Sequence, residues 1–145
     1  MLERIWSGWR AAYVGGGPSG QALGDSPFVA ILESGEPDEA THIIHRGETV
    51  FAIMNIHPYT TGHLLVLPYR EVADLADLNA DEARELWATV TQAVAVVRAE
   101  YRPDGLNVGL NLGRPAGGSV PSHLHVHVVP RWTGDSNFMS AVANT

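Results

Sequence analysis

The chain of 145 residues contains no cysteine. This absence excludes a disulfide framework and any zinc site built from thiolates. There is also no block of Lys and Arg, because nine basic residues are spread among sixteen acidic ones and the net charge is -7. An acidic chain without a basic patch favours neither a nucleic-acid groove nor an anionic membrane surface. We therefore expect a small ligand or a protein partner.

Long apolar runs are missing as well. No segment resembles a secretory signal, and no apolar stretch reaches the length of about 18 residues that is typical of a membrane span. The hydrophobic content of 45% is ordinary for a domain with a packed core, and the length suits one domain. We expect a single-domain cytoplasmic protein that does not bind a membrane.

Residues 1–24 have the composition of an arm and linker. Four glycines and a proline lie within residues 15–20, and such a segment packs poorly. Three aromatic residues precede them: Trp6, Trp9 and Tyr13. Their apolar area needs a partner surface, so residues 2–13 are predicted to dock on the domain or on a second subunit. Residues 25–145 are then expected to form the folded domain.

Five later segments have strand patterns. The first two are separated by the tight turn at Arg46-Gly47 and predict a hairpin. The segments are residues 41–45, 48–56, 63–69, 106–113 and 123–130. A loop over 57–62 precedes the third segment, which Pro68 ends, and residues 71–78 are predicted to form a short helix.

The strongest helix pattern covers residues 80–101. Apolar residues recur there at spacings of three and four: Leu86, Trp87, Val90, Val94, Val97 and Tyr101. Asn79 is placed to cap the helix, Glu82 can complete a capping box, and the turn sequence at 102–105 ends it. Strand pairs with one long helix predict an α+β domain on a mostly antiparallel sheet of about five strands.

Three histidines alternate in the sequence SHLHVHVVPRW, at His123, His125 and His127. Alternate residues of a strand point to one face, so neighbouring imidazoles are expected about 7 Å apart. The residues between them, Leu124 and Val126, are apolar and suit a core. The imidazole face is therefore expected to border a cleft or an interface.

Three interpretations of these histidines remain open at this point. They can be satisfied polar side chains on a sheet face. They can bind a metal, although Asp135 is the only acidic residue that follows them in the sequence. They can also supply a nucleophile, because imidazole has a pKa of about 6.5 and its neutral nitrogen attacks phosphorus without first losing a proton. Gly117, Gly118 and Ser119 precede the strand and can offer N–H groups and a hydroxyl to an anion.

These motifs together resemble the histidine triad (HIT) superfamily of nucleotide hydrolases and transferases. The resemblance rests on HLHVHVV, on GGS at 117–119, on NVGLNLG at 107–113 and on NIHPYTTGHLLVLP at 55–68. The segment LERIWSGWRAAYV looks like the aromatic leader of many bacterial members, and VPRWTGDSNFM is similar to the diadenosine tetraphosphate phosphorylase-like branch. The similarity covers most of residues 2–139.

The resemblance implies a role for each matching residue. His125 would attack the α-phosphorus and carry the nucleotidyl group. The other family histidines, which would orient it or bind the phosphoryl oxygens and leaving group, match His123, His127 and His63. Among the substrate-binding positions, Asn55 matches the one that binds the ribose. The phosphate-binding positions match Asn111, Gly118 and Ser119. Trp132 matches an aromatic residue that stacks on a base, which a neighbouring subunit can hold. Three of these residues have an alternative, structural role: Asn55 can be a turn residue, Asn111 a side chain at a strand end, and Trp132 a dimer contact.

The implied function is cleavage of adenine dinucleotide polyphosphates, such as diadenosine tetraphosphate, at the α-phosphate with phosphate or water as acceptor. The resemblance also implies a HIT-like homodimer or higher homo-oligomer without a cofactor. Adenosine phosphoramidate hydrolysis and nucleotide binding without catalysis are the alternatives. Many bacterial members carry Cys-x-x-Cys where this chain has residues 26–29, Ser-Pro-Phe-Val. We therefore expect no structural zinc and no other metal.

Overall fold

The structure, a computed structural model, describes residues 26–135. The predicted arm over 1–24 lies outside the described residues, so its docking and its boundary with the domain stay predictions. Within 26–135 the chain forms three α-helices and five β-strands. In chain order they are α1 (Pro27–Glu33), α2 (Asp38–Thr41), β1 (Ile43–Arg46), β2 (Val50–Met54), β3 (Leu64–Pro68), α3 (Ala80–Tyr101), β4 (Gly105–Gly109) and β5 (Val126–Arg131).

The five strands form one sheet in the order β1-β2-β3-β5-β4, and every neighbouring pair is antiparallel. This confirms the predicted α+β fold with a five-stranded antiparallel sheet and one long helix. The last strand of the chain, β5, lies between β3 and β4. That position brings the histidine segment to the middle of the sheet.

The β1–β2 hairpin is confirmed, with three residues between its strands. The N–H of Gly47 donates to the carbonyl oxygen of Val50 at 2.8 Å. The carboxylate of Glu85, from α3, accepts the backbone N–H groups of Glu48 at 2.8 Å and Thr49 at 2.6 Å. These bonds tie the turn to the long helix.

Helix α3 begins where the sequence predicts. The Asn79 side chain accepts the N–H groups of Asp81 at 3.0 Å and Glu82 at 2.9 Å, and the Glu82 carboxylate accepts the N–H of Asn79 at 2.9 Å. This is a complete capping box, which satisfies N–H groups that have no partner inside the helix. None of the helices within 26–135 combines the length and the apolar character that crossing a membrane requires.

Replacing Asn79 with Ala should lower the free energy of unfolding by about 1 kcal/mol, because two N–H groups lose their acceptor. Urea unfolding followed by circular dichroism measures the change. Asn79→Ser keeps a capping oxygen and is the matched control, with stability close to that of the original protein. Equal stability of the Ala variant and the original protein would contradict the capping role.

One face of α3 packs on the sheet and forms the larger core cluster. Its buried members come from both elements and from the segment before β5: Val50, Ala52, Leu64, Val66, Val72, Leu86, Val90, Ala93, Val97, Leu124, Val126 and Val128. Two members of the predicted helix stripe are exposed: Trp87 at 45% and Tyr101 at 38%. The apolar stripe is therefore wider than the surface that the sheet covers.

The opposite face of the sheet is covered by α1, which the sequence analysis did not predict. Ser26 and Pro27 are nevertheless a recognisable helix start, since the Ser26 hydroxyl caps the helix and Pro27 occupies its first turn. The cluster on this face contains Phe28, Ile43, Phe51, Ile53, Leu65, Leu67 and Val120. His127 is paired with Leu65 across β5 and β3, so it lies on the α1 side.

Two other predicted elements differ from the structure. Residues 71–78 contain only a 3-10 helix, Leu75–Asp77, instead of an α-helix. The strand predicted from residue 123 begins at Val126. The N–H of Leu124 donates to the carbonyl of Val72 at 2.7 Å, outside the sheet, so the preceding residues leave regular strand geometry.

Candidate active site

Four histidines lie together on the α1 side of the sheet. His63 immediately precedes β3, His123 and His125 precede β5, and His127 is the second residue of β5. His63, His123 and His125 are buried, whereas His127 is half-buried. The ring centroid of His127 is 5.1 Å from that of His63 and 5.0 Å from that of His125. The latter distance is shorter than the 7 Å expected for a regular strand, and His125 lies outside β5.

His123 is held by two hydrogen bonds in the interior and does not line a cleft. Its Nε2 is 2.8 Å from the carbonyl oxygen of Pro68, which can only accept, so Nε2 carries the proton. Its Nδ1 therefore accepts from the Ser26 hydroxyl at 2.7 Å. The Ser26 oxygen also accepts the N–H of Phe28 at 3.3 Å, which connects α1 to the histidine segment.

His125 has a defined tautomer as well. Its Nδ1 lies 2.8 Å from the backbone carbonyl of His123, so Nδ1 donates and Nε2 keeps a lone pair. Burial is the largest cause that lowers the pKa of His125 below its ordinary value, and burial likewise lowers the pKa of His123. Both rings are therefore neutral near pH 7. A neutral ring with an unprotonated Nε2 is the state that a nitrogen nucleophile requires.

His63 and His127 form a hydrogen-bonded pair. The Nδ1 of His63 faces the N–H of Tyr59 at 3.1 Å and the side-chain nitrogen of Asn55 at 3.4 Å. Because the backbone N–H can only donate, the neutral His63 carries its proton on Nε2. That proton is donated to the Nδ1 of His127 over 2.9 Å. The neutral His127 consequently carries its proton on Nε2.

Three residues that hold these rings were not predicted from the sequence. The Tyr59 ring lies over His63 with centroids 4.6 Å apart and over His127 with centroids 5.7 Å apart. The Phe28 ring contacts both His123 and His125, at 5.5 Å and 5.4 Å. Ser26 is the third. The helix-start pattern at Ser26-Pro27 could have revealed α1, but a tyrosine in a loop gives no local signal of its neighbours.

The predicted substrate-binding residues fall into three places. Asn55 lies beside His63, and its side-chain oxygen accepts the N–H of His57 at 2.9 Å. Asn111 lies in the loop after β4, where a Cβ added to Gly117 would be 3.8 Å from its side-chain nitrogen. Trp132 is half-buried and lies just after β5.

The loop that contains Asn111 is closely packed at Gly118. This residue is buried, and a Cβ there would lie 2.9 Å from the carbonyl oxygen of Gly113, so the position has no room for a side chain. Gly117 has φ of +95°, which favours glycine. Ser119 follows and is half-buried. The phosphate-binding roles of Asn111, Gly118 and Ser119 stay predictions.

The residues at the start of α1 do not suit a thiolate zinc site. Ser26 offers a hydroxyl that bonds to His123, and Val29 offers no ligand atom. In the described part of the chain, no group of three or more His, Asp or Glu side chains is arranged to hold a metal ion. The expectation of a metal-free protein stays a prediction.

Comparison with known proteins identifies the family. The model of the HIT domain matches residues 36–134, and the chain belongs to the HIT family. It is 43% identical over 150 residues to the AP-4-A phosphorylase of Mycobacterium tuberculosis (strain ATCC 25618 / H37Rv), covering 100% of this chain and 76% of that protein. It is 33% identical over 91 residues to the bis(5'-adenosyl)-triphosphatase of Saccharomyces cerevisiae (strain ATCC 204508 / S288c), covering 62% of this chain and 44% of that protein.

Solved structures agree with this assignment. A Zn-bound histidine triad family protein from Mycobacterium smegmatis has a TM-score of 0.64 and 32% identity, covering 79% of this chain and 81% of that one. A Hit-like protein from Bartonella henselae has a TM-score of 0.71 and 22% identity, covering 80% of this chain and 86% of that one, and supports the fold alone. The predicted family and fold are confirmed.

Proposed function

We propose that the protein cleaves adenine dinucleotide polyphosphates, such as diadenosine tetraphosphate, at the α-phosphate through a nucleotidyl group carried on His125. The observation that carries this proposal is the hydrogen bond from His125 Nδ1 to the His123 carbonyl, which leaves the lone pair on Nε2. The names of the Mycobacterium and Saccharomyces relatives, a phosphorylase and a triphosphatase of adenosine polyphosphates, support the same substrate class.

In the first step, the Nε2 lone pair of His125 forms a bond to the α-phosphorus. The bond between that phosphorus and the bridging oxygen breaks, and the oxygen leaves with the electron pair as part of ATP. The attacking His125 ring gains positive charge, which the His123 carbonyl stabilises through the Nδ1 proton. His127, whose ring is 5.0 Å away, presents its Nε2–H to the phosphoryl oxygens or to the leaving oxygen.

In the second step, an acceptor oxygen attacks the same phosphorus and the P–N bond to His125 breaks. The electron pair of that bond returns to Nε2, so the ring is neutral again. Phosphate as acceptor yields ADP and water yields AMP, and the acceptor releases its proton to the solvent. We propose phosphate as the physiological acceptor, because the Mycobacterium relative is named a phosphorylase. Two displacements replace one difficult displacement, which is the advantage of covalent catalysis.

Product analysis tests this proposal. With diadenosine tetraphosphate and isotope-labelled phosphate, we expect equal amounts of ATP and ADP, with the label in the ADP. Without phosphate, ATP and AMP should form more slowly. Release of ADP without ATP would place cleavage at another phosphorus and contradict the proposal.

Trp132→Ala should weaken binding of a dinucleotide by about 5- to 150-fold, the equivalent of about 1–3 kcal/mol for one stacked base, and should change AMP binding little. The proposed role is stacking on the second base. Calorimetric titration measures both ligands in the absence of phosphate, with a non-cleavable dinucleotide analogue. Trp132→Phe retains an aromatic face and is the control. Equal losses of affinity for both ligands in Trp132→Ala would contradict a role of Trp132 at the second base.

We also propose that the chain forms a homodimer through α3 and β4. Strand β4 is the last in the sheet order, so its outer edge has no strand partner among residues 26–135. Apolar side chains are exposed on both elements, at Trp87, Tyr101 and Val108. Sedimentation velocity should give the mass of a dimer at micromolar concentration, and a monomer at every concentration would contradict this. The cytoplasmic location stays a prediction.

A further inference from the structure

We propose that Asp104 is a positioning residue for the second base of a dinucleotide, because its carboxylate fixes the backbone beside Trp132. This inference rests on the proposed function, in which Trp132 stacks on that base. Asp104 immediately precedes β4 and was not among the site residues predicted from the sequence. Its carboxylate determines whether Trp132 is held in place before the dinucleotide binds.

Trp132 begins a turn of four residues directly after β5. The N–H of Asp135 donates to the Trp132 carbonyl at 2.9 Å, and the Asp135 carboxylate accepts the Trp132 N–H at 3.0 Å. Gly134, the third residue of the turn, has φ of +99°, which favours glycine. Both backbone polar groups of Trp132 are therefore bonded within the turn.

The Asp104 carboxylate attaches this turn to the rest of the domain. Its Oδ2 accepts the backbone N–H of Thr133 at 2.7 Å and the Thr133 hydroxyl at 2.8 Å. The bond from the Thr133 N–H is the largest cause that holds the pKa of Asp104 below its ordinary value, so the acceptor is charged at neutral pH. On the other side of Trp132, the Nε–H of Arg131 donates to the Asn107 side-chain oxygen at 2.9 Å. Both chain neighbours of Trp132 are thus tied to the β4 side of the sheet.

Hydrogen bonds, rather than packing, hold this turn. Thr133, Gly134 and Asp135 are all exposed, and Trp132 is half-buried. A side chain that binding must order lowers the affinity about 2- to 12-fold, the equivalent of about 0.5–1.5 kcal/mol. A turn that Asp104 already holds avoids this loss for a ligand that reaches Trp132. Asp104 therefore favours dinucleotides over mononucleotides.

The negative charge of Asp104 acts in the opposite direction. A carboxylate disfavours the approach of a polyphosphate, so its removal without any other change would strengthen binding of both AMP and a dinucleotide. A weaker affinity for the dinucleotide alone therefore cannot arise from electrostatics. The sign of the effect separates the positioning role from a general effect of charge.

Asp104→Ala tests the inference by calorimetric titration in phosphate-free buffer. We expect binding of a non-cleavable diadenosine tetraphosphate analogue to weaken about 2- to 12-fold, and binding of AMP to be no weaker than in the original protein. Asp104→Asn keeps an acceptor oxygen for Thr133 and should restore most of the lost affinity. Asp74→Ala is the matched control, because the exposed Asp74 carboxylate also accepts a backbone N–H of a turn, that of Ala76 at 3.1 Å. It should change neither affinity.

Combining Asp104→Ala with Trp132→Ala distinguishes the inference from the proposed function. In a protein that already lacks the indole, Asp104→Ala should cause no further loss of dinucleotide affinity. The same loss with and without the indole, equal losses for the dinucleotide and AMP, or no loss at all would overturn the inference and leave the stacking role of Trp132 intact. Absence of a selective loss in Trp132→Ala itself would instead show that the proposed stacking role is wrong.

Nuclear magnetic relaxation gives a readout that needs no ligand. The backbone N–H groups of Trp132 and Thr133 should have order parameters of about 0.85 in the original protein, as in rigid backbone, and should fall towards about 0.6 in Asp104→Ala. Asp104→Asn should stay near the higher value. Order parameters that are already low in the original protein, or that stay high in Asp104→Ala, would overturn the inference.

Discussion

Replacing His125 with Ala should lower turnover of diadenosine tetraphosphate by several orders of magnitude, as loss of a covalent nucleophile does. The variant loses the Nε2 lone pair, and no other described ring has the same bond from Nδ1 to the His123 carbonyl. Binding of AMP should largely survive, because the proposed phosphate and ribose contacts lie elsewhere. Turnover and calorimetric titration of AMP measure the two effects separately.

His45→Ala is the matched control for His125→Ala. His45 is exposed on β1 and takes no part in the proposed chemistry, so its loss should leave turnover unchanged. Activity of His125→Ala comparable to that of the original protein would contradict the mechanism. Circular dichroism shows whether that variant is folded. Binding of AMP then measures the fraction of the variant that retains the site.

The free energy of unfolding should decrease as the pH falls below about 6.5, the ordinary pKa of histidine. Burial lowers the pKa of His123 and His125 in the folded state, so the unfolded chain binds more protons in acid. Their contribution to stability is fully present above the unfolded pKa and is lost as the pH falls towards the folded pKa. Each histidine should give a slope of up to about 1.4 kcal/mol per pH unit.

Urea unfolding between about pH 5 and pH 6.5 measures this slope. Carboxylates contribute at lower pH; the Glu82 pKa, for example, is held below its ordinary value of 4.5 by the hydrogen bond from Arg70, so its contribution is lost only below that value. His123→Gln removes one titrating ring and should reduce the slope of stability against pH by the contribution of one histidine, up to about 1.4 kcal/mol per pH unit. Constant stability over this range would show that the rings are not buried as neutral groups.

Local features of the fold were predictable because their causes are local. The capping residues Asn79 and Glu82 define the start of α3, and the turn near Gly47 defines the first hairpin. The sheet order is not local, since β5 pairs with β3 although residues 69–125 lie between the two strands. No spacing in the sequence predicts that β5 lies between β3 and β4.

The residues of the site were predictable from the sequence, but their hydrogen-bond partners were not. Alternation placed His123, His125 and His127 near one another, and the family resemblance added His63. The tautomers depend on single backbone atoms, such as the Pro68 carbonyl and the Tyr59 N–H, whose positions follow from tertiary structure. The sequence therefore identifies the rings, whereas the structure is needed to assign their protons.

The most direct test of the central claim is to trap the nucleotidyl group on the enzyme. Diadenosine tetraphosphate is mixed with the protein in phosphate-free buffer, the reaction is quenched in alkali, and peptides are analysed by mass spectrometry. The account predicts one adenylyl group on the peptide at His125, a burst of ATP equal to the enzyme present, and neither signal in His125→Ala. Rapid turnover without an adenylylated peptide, or an adenylyl group on another residue, would contradict it.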